Sequence, residues 1–106
     1  MNKTLVLAVL SLACAGISAP ALAHGDVTCN GGPQSGWKPI AELQKDIRKK
    51  GWTIRNAKTH RDCYEVYGTN PQGDGVEAFF HPVTFKPVLI LKRGKVLYKA
   101  PVRATR

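Results

Sequence analysis

The chain has 106 residues, with 16 Lys and Arg against 7 Asp and Glu, a formal charge of +9. Hydrophobic residues make up 43% and charged residues 22%, an ordinary globular balance that excludes a multi-domain enzyme and a disordered polybasic tail. One small domain with a modest core remains, so a single cross-link matters.

Residues 1–23 are expected to be a secretory leader. Lys3 supplies the positive start, Leu5 to Ile17 the apolar stretch, and Ala21 and Ala23 the small-residue cleavage pattern behind Pro20. A retained N-terminal anchor is the alternative. Cys14 lies inside the apolar stretch and is preceded by Ser11-Leu12-Ala13, which does not fit a lipid-modified cysteine. An exported chain, periplasmic or secreted, follows. Cleavage after Ala23 removes Lys3 and leaves 15 basic and 7 acidic residues, or +8. Outside the cytoplasm such charge points away from nucleic acid and toward anionic membrane or wall surfaces, or an acidic partner protein.

Residues 24–36 carry Gly25, Gly31, Gly32, Pro33 and Gly36 and are expected to form an irregular arm. Cys29 in this arm and Cys63 are the two cysteines left after the leader, an even pair in an oxidising compartment, so a disulfide is expected. No C-x-x-C spacing favours a metal site instead.

A domain over residues 37–106 follows. Ile40, Leu43 and Ile47 recur at helical spacing, with Pro39 before them and Gly51 after. One amphipathic helix from about Pro39 to Lys50 is predicted. Strand signals fill the rest: Trp52 to His60, Cys63 to Tyr67, Val76 to His81, Val88 to Leu91 and Val96 to Tyr98, separated by turn chemistry. With no helices between them these strands pair antiparallel. The expected fold class is α+β, one helix packed on an antiparallel β-meander of about four to five strands.

The order Trp37-x-Pro39, helix, Gly51-Trp52-Thr53-Ile54, Asp62-Cys63-Tyr64-Glu65-Val66-Tyr67, then Val76-Glu77-Ala78-Phe79-Phe80-His81-Pro82-Val83-Thr84 resembles the PepSY domain family. It looks most like the small exported single-domain members. The family pattern usually has Asp or Asn before that proline and often Gly after the threonine; here His81 and Phe85 stand instead. The resemblance implies a non-catalytic binding or regulatory module, with peptidase inhibition proposed for some members, and a protein or peptide of the cell envelope as partner.

No G-x-S-x-G, H-E-x-x-H or P-loop motif occurs, and catalysis is not expected. Glu65 and Glu77 fall in adjacent predicted strands, where Lys or Arg partners on the same sheet would account for them. The aromatic residues belong mostly to the core. Those that reach the surface beside basic residues would form a docking face, for which Tyr64, Tyr67, Phe79, Phe80, Lys92 and Arg93 are the candidates. No cofactor is required by any motif. A second reading is copper binding, with the α-amine and imidazole of a mature N-terminal His24 completed by His60 or His81. A third is electrostatic attachment to anionic envelope surfaces.

Overall fold

The computed structural model describes residues 27–101. After an irregular arm and a short 3₁₀ turn, Gln34–Gly36, the chain forms helix α1 (Ile40–Lys49). Strands β1 (Thr53–His60), β2 (Cys63–Thr69), β3 (Gly75–Phe80), β4 (Pro87–Lys92) and β5 (Lys95–Lys99) follow. They form one antiparallel sheet in sequence order, a helix-on-meander α+β fold. The C-terminal hairpin completes the sheet. No helix among the described residues is long and apolar enough to cross a membrane.

The helix forms because its apolar residues share one face. Leu43 and Ile47, four apart, are buried against Tyr64, Val66, Ala78 and Phe80 of the two central strands. Arg48 and Lys49 lie in the last turn, where positive charge complements the helix dipole. Tyr64 fastens the segment leading into the helix, because its hydroxyl donates to the Lys38 carbonyl at 2.6 Å. Its ring meets Trp37 edge-on at 5.3 Å.

The opposite face of the sheet carries a second core. Val27 and Cys29 of the arm pack on Cys63, Phe79, Leu89 and Leu91. Cys29 and Cys63 are joined as a disulfide. Asp62 reinforces the joint by accepting the backbone N–H of Cys29 at 3.1 Å and of Asn30 at 2.7 Å.

The strands are linked by tight turns. Arg93 and Gly94, both at positive φ, make the two-residue β4–β5 hairpin, the geometry that matches strand twist. Between β3 and β4 the chain closes a turn in which the His81 N–H donates to Lys86 and the Phe85 N–H donates to His81, each at 2.9 Å. The two departures from the family pattern are accommodated here. The His81 ring takes the capping role of a carboxylate or amide, and Phe85 adopts φ 65°, the left-handed conformation that glycine adopts most readily.

Candidate functional site

Side chains alternate across a strand, so the residues of β2 and β3 that do not meet α1 point to the other face. Glu65 and Tyr67 of β2 share that face with Glu77 and Phe79 of β3, Glu65 opposite Phe79 and Tyr67 opposite Glu77. The two glutamates are therefore diagonal cross-strand neighbours. The arm covers Phe79, and the polar residues lie beyond it toward the β4–β5 turn.

Glu65 is buried, 2% exposed, in the middle of this face. Lys58 Nζ and His60 Nδ1 on β1 lie 3.9 and 3.7 Å from its Oε1. The Tyr67 hydroxyl donates to Glu77 Oε2 at 3.2 Å. Burial pushes the Glu65 carboxyl up, but its hydrogen bonding with Glu77 and Tyr67 and the charges of Lys58 and His60 outweigh it, and the net shift is downward. Tyr67 moves the other way. Its hydrogen bond to Glu65, its burial and the two carboxylate charges raise its pKa strongly, so the hydroxyl stays a donor.

A concavity of about 360 Å³ opens beside this cluster, lined by Arg55, Tyr67, Glu77, Leu91 and Arg93 together with glycines of β2, β3 and the β4–β5 turn. Neither guanidinium has a hydrogen bond or ion pair among the described residues. Lys92, next to Arg93, is engaged elsewhere: its Nζ lies 2.8 Å from Asp74 Oδ1. That bond comes first among the causes that hold the Asp74 carboxyl below its ordinary value.

The structure divides the expected docking residues. Tyr64, Phe79 and Phe80 are 6, 0 and 2% exposed; they are core, and a docking face built on them is corrected. Of the six, Tyr67 and Arg93 meet in one concavity, with Lys92 adjacent in sequence. His24 lies outside the described residues. His60 faces Glu65 and packs edge-on against Phe79 at 5.4 Å, whereas His81 uses Nδ1 to cap its own turn. The ligand atoms of Cys29, Asp62 and Cys63 lie within 4.8 Å of one another. Both sulfurs are bonded to each other, so this group offers no thiolate, and it contains neither histidine.

Arg55 escaped the sequence reading. It falls at the register shift between Ile54 and Asn56, and a bulge of this kind re-aims a side chain without leaving a mark in the hydrophobic pattern. Arg93 was visible through its Arg-Gly turn. Glu77 was visible only as a carboxylate in a strand next to Glu65.

Comparison with known proteins gives one family. The PepSY_2 model, described as the peptidase propeptide and YPEB domain, matches residues 6–90. The match covers most of the sequence, and the chain belongs to this family. It begins within the expected leader and ends in β4, before β5. No curated protein and no solved structure matches. The family supports a regulatory or binding module of the peptidase-propeptide kind.

Proposed function

We propose that this family member is an exported, non-catalytic binding module that engages an acidic protein or peptide of the cell envelope through the concavity around Tyr67. The observation that carries this reading is the pair Arg55 and Arg93. Two guanidiniums line one hollow on the sheet face that α1 leaves free, against the single carboxylate of Glu77, and neither is within ion-pair distance of a carboxylate among the described residues. Guanidinium groups match carboxylates in shape as well as charge. The half-buried Tyr67 ring adds apolar contact area in the same hollow. The propeptide description of the family makes an envelope peptidase, or a peptide it cleaves, the first partner class to test.

The test is retention of envelope proteins or acidic peptides by the purified protein and by the double variant Arg55→Gln/Arg93→Gln. Both arginines are polar surface groups without partners, so the variant should fold normally. Loss of the retained partner in the variant supports the reading. Equal retention by both proteins overturns it. Attachment to anionic lipid or wall polymer would use the whole net positive charge, +8 once the leader is removed, and would survive the double substitution while collapsing with salt.

A further inference from the structure

Strand β5 is the outer edge of the sheet, and its three central residues are apolar and open. Val96, Leu97 and Tyr98 are 60, 47 and 41% exposed. An edge strand presents one row of unpaired backbone N–H and C=O groups, a template for another strand. Lysines stand at both ends, Lys95 and Lys99, neither with an ion-pair partner among the described residues. Lys92, opposite Lys95 in the hairpin, is the one tied to a carboxylate, that of Asp74.

The position of these lysines decides what can pair here. A second copy laid antiparallel on β5 and centred on Leu97 would set Lys95 opposite Lys99 at each end. A parallel copy in register would set each lysine against itself. The bulge puts Lys95, opposite Lys92, and Lys99, opposite Leu89, on opposite faces of the sheet, yet either pairing still gathers two ammoniums without a carboxylate at each end, and that repulsion disfavours a pair of copies. A strand with carboxylates at its ends meets the opposite situation, since each carboxylate finds an unpaired ammonium. Leu97 is the extra residue of a bulge, because Val96 pairs with Leu91 and Tyr98 with Ile90. The added twist of a bulge favours a short addition.

We propose that β5 is a docking edge for a short extended segment of a partner protein, apolar at its centre and acidic at both ends, which joins the sheet as a further strand. Main-chain hydrogen bonds would supply affinity and the two lysines selectivity. The inference does not rest on the arginine concavity, and β5 lies beyond the residues matched by the family model.

The experiment is a titration of isotope-labelled protein with a capped peptide of about six residues, the two positions at each end Glu, so that a carboxylate meets each lysine on whichever face it lies, and Val-Thr between. Expected are amide shifts and slowed hydrogen exchange concentrated over residues 95–99, weakening with salt. The same peptide ending in Lys should bind about tenfold more weakly or worse. The double variant Lys95→Glu/Lys99→Glu should reverse that preference with the spectrum elsewhere unchanged. Lys99→Glu alone makes the edge self-complementary and should sediment as a dimer. Arg55→Gln/Arg93→Gln should leave peptide binding intact, which separates this edge from the concavity. Equal binding of both peptides, no response over residues 95–99, or a wild-type dimer joined through β5 would each overturn the proposal.

Discussion

His81 accepts the backbone N–H of Val83 on its Nδ1 atom at 3.1 Å, and takes that of Thr84 on the same atom at 3.2 Å. A ring nitrogen thus does what a carboxylate or amide oxygen does in an Asx turn. The turn matters beyond itself, because the carbonyl of Pro82 accepts the Lys38 N–H at 3.1 Å and Lys38 leads into α1. His81→Asn should preserve the acceptor and leave stability nearly unchanged. His81→Ala should remove both bonds and cost about 2 kcal/mol. Urea midpoints of the two variants, compared with wild type, check this; equal losses would show that the ring acts by bulk.

The Cys29–Cys63 bond spans a sequence separation of 34. For a loop of that length the chain-entropy estimate is about 3–4 kcal/mol. The arm contributes little apolar surface apart from Val27, so without the bond its ordering entropy is poorly offset. Reduction, or Cys63→Ser, should lower the melting temperature by at least several degrees and open the arm to proteolysis before Trp37. Mass spectrometry of the unreduced protein should find no alkylatable thiol at Cys29 or Cys63.

Glu65 makes stability depend on acid. Its carboxyl is held below the ordinary value of 4.5 in the folded protein, so the unfolded chain binds the proton more readily. The stabilisation is fully present above that ordinary value and is lost as pH falls through the lower folded value. Denaturant midpoints should therefore drop as pH falls below the ordinary value of 4.5, and less steeply in Glu65→Gln. Parallel acid profiles for wild type and variant would place the acid sensitivity on other carboxylates.

Gly68 is required by a close approach of backbone. A Cβ there would collide with the Thr53 carbonyl oxygen and lie 3.1 Å from the Ile54 Cα, so β1 would have to move off β2. Gly68→Ala should destabilise by about 2 kcal/mol or more. Gly75→Ala, whose Cβ meets nothing within 4 Å, should change stability by about 0.5 kcal/mol or less. Chemical denaturation of the pair separates crowding from the general effect of adding a methyl group.

The sequence by itself determined the elements, their order and the disulfide. Helical spacing at Ile40, Leu43 and Ile47, and short β-branched runs broken by Gly, Pro and Asn, are local properties that fix local structure. Two cysteines beyond Cys14 allow one pairing. Tertiary structure decided which aromatics are hidden. In β2, residues 63–66 are all buried, because α1 covers one face and the arm begins to cover the other; with both faces covered, period-two alternation no longer separates inside from outside. It also decided that Arg55 joins Tyr67 and Arg93. They come from separate strands and a turn, and their meeting depends on inter-strand register and a bulge. Both are set by pairing between distant segments, about which hydrophobic periodicity within either segment carries no information.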